Sequence, residues 1–96
     1  MALKAKDNER TIETTITNRL GLHARAAARL VQLTERFRSE VFMEKDGQAA
    51  DVKSVLALLT LDCPMGTRVV LRARGKDAES ALSAIAGLVQ DKFGEE

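Results

Sequence analysis

The chain has 96 residues and a formal net charge of +1, because 15 Lys and Arg residues are balanced by 14 Asp and Glu residues. Its one histidine and one cysteine exclude an internal disulfide, a cysteine-based zinc site and any metal site built from several histidines. The near-neutral charge and the three aromatic residues, all Phe, argue against a general nucleic-acid-binding protein.

The length predicts a single domain over residues 1–96, with one small core and no room for a deep cleft. Residues 1–9 are polar and mixed in charge, which predicts a flexible start without a secretory signal. No apolar run approaches the roughly 18 residues that cross a bilayer, so we expect no membrane insertion. The lone cysteine favours a reducing compartment, and we therefore expect a cytoplasmic protein.

The first part of the chain passes from a strand pattern to a helix pattern. Residues 11–17 alternate with period two and predict a half-buried strand, with Ile12 among the inward residues. Residues 18–22 break the alternation and predict a loop. From residue 24 to about residue 38 the apolar period becomes 3.6. This period predicts an amphipathic helix with a basic polar stripe and with His23 at or near its N-cap.

A hairpin and a short helix follow. Residues 40–44 alternate as a strand, Asp46-Gly47 is typical of a type I′ hairpin turn, and residues 48–52 form a short returning strand. Residues 54–61 contain five large apolar residues and predict a helix of two turns.

The last part of the chain predicts a strand and a helix. Residues 67–74 form the clearest strand, because apolar and polar residues alternate along its length. Asp77 is placed to cap a last helix, and Gly94 is placed to end it. The helix is predicted to bury Ala81, Leu82, Ile85 and Val89, with Leu88 and Phe93 near its edge.

The predicted order is therefore βαββαβα. This order is typical of an α+β fold, a two-layer open-faced sandwich in which three helices cover one face of a four-stranded antiparallel sheet. Polar residues at alternate strand positions predict that the other face of the sheet lies in water.

The densest chemical signal lies around His23. A loop containing Gly21 leads to this histidine at a helix start, where the first backbone N–H groups lack partners and favour an anion. Arg25 adds a guanidinium that can contact phosphate oxygens in a fork, and Arg29 lies one turn further along the same stripe. These groups suit a phosphoryl group held on an imidazole nitrogen. A histidine at a helix start is also an ordinary cap or loop residue, and the residues alone leave both interpretations open.

The source of such a phosphoryl group is constrained by what the sequence lacks. It has no nucleotide-binding loop and no obvious cluster of carboxylates for magnesium. We therefore expect the phosphoryl group to come from another protein instead of from ATP.

Two separated motifs resemble one known family. Gly21-Leu22-His23-Ala24-Arg25 resembles the active-site signature of HPr, the histidine-containing phosphocarrier of the bacterial phosphoenolpyruvate-dependent phosphotransferase system. Downstream of Gly47, the segment Asp51-Val52-Lys53-Ser54-Val55-Leu56 resembles the regulatory-serine segment of the same family. The resemblance covers residues 10–93 and implies the same order of elements.

The resemblance implies a phosphoryl carrier that is not itself an enzyme and needs no cofactor. His23 would be phosphorylated on Nδ1. The Arg25 side chain would bind the phosphoryl group, and the backbone amides of Ala24 and Arg25 would contact its oxygens. The donor would be enzyme I, charged from phosphoenolpyruvate, and the acceptor would be a histidine of an enzyme IIA domain.

Ser54 and the two-turn helix carry further predictions. Ser54 is expected to cap this helix, with Asp51 as a competing cap, and the resemblance adds phosphorylation of Ser54 by HPr kinase/phosphorylase. So short a helix cannot bury all its apolar residues, which predicts exposure among Val55, Leu56 and Leu59. The residues alone leave open whether partners or other parts of the chain cover them, and the resemblance implies docking of enzyme I and enzyme IIA.

One departure from the family pattern is Ala26, where the family usually has a proline in the first helical turn. Alanine is a good helix former, so we expect the helix to persist. Two alternatives within the family are a nitrogen-branch carrier and a purely regulatory paralogue that acts through protein contacts. An RNA-binding module that uses the arginines of residues 68–74 is disfavoured by the net charge and the few aromatic residues. We expect a monomer.

Overall fold

The computed structural model of the chain describes residues 9–95. The predicted flexible start lies outside these residues except for Glu9, which begins the first strand. The elements in chain order are β1 (Glu9–Thr15), α1 (Ala24–Thr34), β2 (Glu40–Lys45), β3 (Gln48–Asp51), α2 (Val55–Leu61), β4 (Arg68–Arg74), α3 (Ala78–Gln90) and a 3₁₀ turn (Lys92–Gly94).

The four strands form one antiparallel sheet in the order β1-β4-β2-β3. Helix α3 packs on β1 and β4, α2 packs on β3, and α1 contacts both α2 and α3. The α+β fold with three helices and an antiparallel sheet is therefore confirmed. Alternate strand residues and the inner sides of the helices fill the core between the layers, among them Leu30, Val41, Met43, Leu58, Val69, Leu71, Ile85 and Val89.

The charged face of the sheet carries cross-strand ion pairs. Arg68 Nη2 lies 3.1 Å from Glu13 Oε1, and Arg72 Nε lies 2.8 Å from Glu44 Oε2. Opposite charges on neighbouring strands stabilise this face in water. Within the part of the chain that the structure describes, no helix has the length and apolar character needed to cross a bilayer.

The strand predictions are largely confirmed, with one difference in burial. The turn residues Asp46 and Gly47 both have positive φ, 49° and 80°, as a type I′ hairpin requires. Ile12 lines a groove against α3, on the predicted side of the sheet, but 37% of its surface is exposed. The reason is that β1 is an edge strand, which α3 covers only in part.

Helix α1 ends at Thr34, four residues before the predicted end. The Thr34 hydroxyl donates to the Leu30 carbonyl at 2.7 Å, a bond that competes with regular helix geometry. Beyond the helix end, the backbone N–H groups of Arg38 and Ser39 both donate to the Asp77 carboxylate at 2.9 Å. These residues are bound by a distant side chain, so they do not extend the helix.

The prediction that the Asp77 side chain caps the last helix is therefore wrong. Asp77 occupies the N-cap position of α3, but its carboxylate makes no capping bond. It accepts hydrogen bonds from the Ser39 hydroxyl and from the backbone N–H groups of Arg38 and Ser39, and these donors lower its pKa below the ordinary aspartate value. The carboxylate thus joins the α1–β2 connection to the start of α3.

The end of the chain also differs from the prediction. Helix α3 ends at Gln90, so Gly94 does not end it. Lys92 and Phe93 both adopt left-handed backbone conformations, with φ of 56° and 57°. This turn directs the Phe93 side chain into the core, where it is fully buried instead of lying at the edge of a helix.

Candidate functional site

The loop before His23 has a conformation that requires glycine. Gly21 has a φ of +68°, and a Cβ atom there would lie 2.7 Å from the Cys63 carbonyl oxygen and 2.8 Å from Pro64 Cα. The next residue, Leu22, donates its backbone N–H to the same Cys63 carbonyl at 2.8 Å. The loop therefore lies directly against the segment that follows α2.

His23 is the N-cap residue of α1, as the sequence predicts. Its backbone is extended, with φ of −84° and ψ of −178°, and its carbonyl accepts the N–H of Ala27 at 2.8 Å. The imidazole makes no capping bond. Its Nε2 is instead hydrogen-bonded to the carboxylate of Glu95, and 28% of the side chain is exposed.

Glu95 is the main site residue that was not predicted from the sequence. One of its carboxylate oxygens, Oε1, also accepts a hydrogen bond from Asn18 Nδ2 at 3.0 Å. The hydrogen bonds from Asn18 and His23, with the positive charge of Arg29, hold the pKa of the Glu95 carboxyl below its ordinary value. Glu95 is therefore a carboxylate at neutral pH, and only 14% of its side chain is exposed.

Arg29 makes a contact that was not predicted from the sequence. Its guanidinium Nη1 donates to the backbone carbonyl of Phe93, so it binds the end of the chain. The charge of Arg29 still acts on Glu95, but the group itself is held by the Phe93 carbonyl. One feature of the sequence indicates that the segment after α3 packs on the core. This feature is Phe93, a large apolar residue among polar neighbours.

A shallow depression of about 440 Å³ lies beside His23. The structure brings His23 and Arg25 to its lining, together with Arg19, Leu20 and Glu95. Ala24 and Arg25 are the first two residues of α1, so their backbone N–H groups lie in the turn that has no intrahelical acceptors. The predicted residues 23–25 are thus together at one helix start, beside a positively charged depression.

Ser54 caps α2, and the competing interpretation of Asp51 is wrong. The Ser54 hydroxyl accepts the backbone N–H of Ala57 at 3.1 Å. Asp51 instead accepts the N–H of Lys53 at 2.9 Å, within its own turn. The structure does not bring Ser54 into the lining of the His23 depression.

The apolar residues of α2 divide between the core and the surface. Leu58 and Leu61 are buried, whereas Leu56 is 75% exposed and Leu59 is 38% exposed. Val55 is half-buried and packs against the core. The prediction that some of Val55, Leu56 and Leu59 are exposed is therefore confirmed.

Two further exposed apolar residues were not predicted from the sequence. Leu20, at the lining of the His23 depression, is 67% exposed, and Met65 is 58% exposed in the connection after α2. This connection is joined to the chain before His23 by the 2.7 Å bond from Gly66 N–H to the Ile16 carbonyl. Cys63, in the same connection, is buried, and this burial raises the pKa of its thiol, consistent with a small apolar filler.

Comparison with known proteins finds one family. A family model described as "PTS HPr component phosphorylation site" matches residues 10–91. The phosphocarrier protein HPr of Cupriavidus necator is 42% identical over 83 residues, which are 86% of this chain and 93% of that protein. The phosphocarrier protein NPr of Shewanella violacea is 45% identical over 83 residues, 86% of this chain and 91% of that protein.

A solved structure gives the same result. The crystal structure of HPr-C-His from Thermoanaerobacter tengcongensis is similar with a TM-score of 0.87 and 39% sequence identity. The similarity covers 91% of this chain and 98% of that chain. Sequence and fold therefore agree over almost the whole length.

Proposed function

Because this chain belongs to the HPr family of phosphocarrier proteins of the phosphotransferase system, we propose that it carries a phosphoryl group on Nδ1 of His23. The observation that supports this atom is the bond between Nε2 and Glu95. Among residues 9–95, no hydrogen bond is made to Nδ1, which leaves this nitrogen as the nucleophile.

The start of α1 is suited to the incoming phosphoryl group. The backbone N–H groups of Ala24 and Arg25 and the helix dipole favour an anion at this position. The Arg25 side chain is exposed and lines the depression beside His23, where its guanidinium can bind two phosphoryl oxygens. We therefore assign Arg25 and these two amides to phosphoryl binding.

The transfer requires two partner proteins, and the carrier needs no cofactor. Phosphorylated enzyme I is the proposed donor: its N–P bond breaks, the electron pair stays on the donor nitrogen, and a bond forms between phosphorus and His23 Nδ1. An enzyme IIA histidine then takes the phosphoryl group in the same way. The carrier acts as a cytoplasmic monomer on this proposal, and its shallow site keeps the phosphoryl group accessible to both proteins.

The exposed apolar residues support a docking surface beside the site. We assign docking to Leu56 and Leu59, with a smaller contact from the half-buried Val55. Leu20, which lines the His23 depression, and Met65, in the connection after α2, are further exposed apolar residues that we assign to docking. An exposed apolar patch of this kind is typical of a protein–protein contact.

Ser54 is the proposed site of regulation by HPr kinase/phosphorylase. A phosphate there adds roughly two negative charges next to the exposed Leu56 and opposes docking of a partner on an apolar surface. Treatment with the kinase and ATP should give an acid-stable adduct in the wild type and none in Ser54→Ala. Ser83→Ala, an exposed serine of α3, is the matched control and should be labelled like the wild type.

A nitrogen-branch carrier is the second candidate, because the similarity to the HPr and NPr relatives is nearly equal. Both candidates use His23, so the acceptor distinguishes them. Transfer rates from the phosphorylated chain to sugar-specific and nitrogen-branch enzyme IIA proteins should differ strongly. A purely regulatory paralogue would transfer to neither.

The proposal is tested by phosphorylation in vitro. The chain is incubated with phosphoenolpyruvate and a catalytic amount of enzyme I, and its intact mass is measured. We expect an acid-labile, alkali-stable phosphate adduct that is absent in His23→Ala. If no adduct forms under conditions that label a control carrier, the proposed function is wrong.

A further inference from the structure

The C-terminal tail, residues 91–95, is held in place at two points before it reaches the His23 site. The buried Phe93 side chain fixes it to the core, and Arg29 of α1 binds the Phe93 carbonyl. The left-handed backbone of Lys92 and Phe93 turns the chain back toward the start of α1. Glu95 therefore reaches His23 from a segment that packing holds in one position.

The Glu95 carboxylate is bound through both of its oxygens. Oε2 contacts His23 Nε2, and Oε1 accepts from Asn18 Nδ2, whose side chain is fully buried. The same Asn18 amide group donates to the Gly21 carbonyl at 2.7 Å, within the loop that leads to His23. Asn18 thus joins the histidine loop to the carboxylate that contacts the histidine.

This arrangement of hydrogen bonds lowers the stability of the folded state locally. With both hydrogen bonds donated from Nδ2, Asn18 Oδ1 is buried without a hydrogen-bond partner among the described residues. An unsatisfied buried oxygen destabilises the folded state, and such groups concentrate at functional sites. The orientation of Asn18 therefore favours the position of Glu95 over complete hydrogen bonding.

We propose that Glu95 is a positioning residue for phosphoryl transfer, acting through Nε2 of His23. Its carboxylate keeps the proton on Nε2, so that the lone pair lies on Nδ1. The inference rests on the proposed function, because it concerns the same transfer. The principle is that of a carboxylate that orients a catalytic imidazole and stabilises the imidazolium.

The charge balance of the transfer supports this role. When the Nδ1 lone pair forms its bond to phosphorus, the proton stays on Nε2 and the ring becomes positively charged. Arg19 and Arg25, at the same depression, offset the negative charge of the phosphoryl group, whereas the Glu95 carboxylate at Nε2 stabilises the positive charge of the ring. When the phosphoryl group leaves, the bonding electrons return to Nδ1 and the neutral tautomer is restored.

The ring tautomer gives a direct test, because the chain contains one histidine and its NMR spectrum has one imidazole. Nitrogen-15 shifts of the neutral ring should show the Nε2–H tautomer dominant in the wild type and a mixture of tautomers in Glu95→Ala. Glu95→Gln retains an oxygen that accepts from Nε2–H but lacks the charge. Glu79→Gln, on the exposed side of α3, is the matched control.

The rate of phosphorylation is the second measurement, with phosphorylated enzyme I and with potassium phosphoramidate, which needs no partner protein. Both rates should fall about tenfold in Glu95→Ala, and Glu95→Gln should also be slowed. Glu79→Gln should match the wild type in tautomer and in rate.

The outcomes separate this inference from the proposed function. An unchanged tautomer in Glu95→Ala would overturn the inference even if the wild type is phosphorylated normally. A slower reaction with enzyme I but not with phosphoramidate would also overturn it, since Glu95 would then act on the partner. Absence of any adduct in the wild type would refute the proposed function, and the tautomer comparison would still decide whether Glu95 holds the ring.

Discussion

Gly21 shows how one residue sets the position of His23. Its left-handed backbone and its contact with the Cys63 carbonyl allow the histidine loop to lie against the connection after α2. Gly47 also has positive φ, +80°, but among the described residues no atom beyond its two chain neighbours lies within 4 Å of a Cβ built on it. Substitution of Gly47 therefore tests only the free-energy cost of a positive φ, whereas substitution of Gly21 also tests the cost of a close contact.

We expect Gly21→Ala to lower the free energy of unfolding by about 1–3 kcal/mol and to slow phosphorylation of His23, because the loop must move away from Cys63. Gly47→Ala should cost about 1 kcal/mol through its φ alone and should leave the phosphorylation rate unchanged. Urea denaturation and the intact-mass assay measure the two effects. Equal rates for Gly21→Ala and the wild type would show that the loop contact does not position His23.

Helix α2 illustrates how a short element serves two surfaces. Its buried residues, Leu58 and Leu61, attach it to the core, and the exposed Leu56 faces solvent. The Ser54 hydroxyl accepts a backbone N–H of the first turn. At the other end, Lys45 Nζ donates to the carbonyls of Leu61 and Asp62. Because both ends are bound, a surface substitution should leave the helix intact.

Leu56→Asp should therefore weaken binding to enzyme I by about tenfold or more, since it places a charge in the proposed docking surface. Its effect on the free energy of unfolding should stay within about 0.5 kcal/mol, because Leu56 is exposed. Thr11→Asp adds the same charge on β1, at the opposite edge of the sheet from β3, and should not change binding. Titration calorimetry gives the affinities, and equal affinity for both variants would contradict docking on α2.

Asp77 connects two loops through hydrogen bonds to a carboxylate. Because these bonds lower the pKa of Asp77 in the folded state, its ionised form stabilises the fold. The contribution is complete above the ordinary aspartate pKa of 3.8 and is lost as the pH falls below 3.8 through the lowered pKa. Stability falls with falling pH because the pKa of Asp77 is lower in the folded chain, so the unfolded chain binds the proton more tightly.

Asp77→Asn should therefore be less stable than the wild type at neutral pH, and the difference should shrink as the pH falls below 3.8. Denaturation midpoints at several pH values measure the difference. Glu79→Gln, in the first turn of the same helix, is the control for the loss of one charge. A difference that does not depend on pH would show that the Asp77 carboxylate contributes only as a neutral acceptor.

Residues 91–95 bring the chain after α3 back against the core and the His23 site. Phe93 is among the largest fully buried side chains, although it follows the end of α3. The same residue holds the tail that carries Glu95, so the core and the His23 site are joined at this point. Burial of Phe93 thus connects stability to the proposed chemistry.

Phe93→Ala should lower the free energy of unfolding by about 3–5 kcal/mol, as expected for a large cavity in a core. It should also slow phosphorylation of His23, because Glu95 loses its anchor. Phe42→Ala removes the same side chain from a half-buried position on β2 and should cost less, with no change in phosphorylation rate. Should Phe93→Ala be destabilised but phosphorylated at the wild-type rate, the link between tail and site would be disproved.

The sequence by itself determined the order of the elements, the β2–β3 hairpin, the position of His23 at a helix start and the Ser54 cap. These features depend on periodicity and on contacts within a few residues, so they can be read along the chain. Only the tertiary structure decided the contacts of His23 with Glu95 and of Ser39 with Asp77, which join residues 72 and 38 positions apart. Such contacts have no local pattern, because they arise only when packing brings distant segments together, and for this reason the contact of Glu95 with His23 could not be predicted.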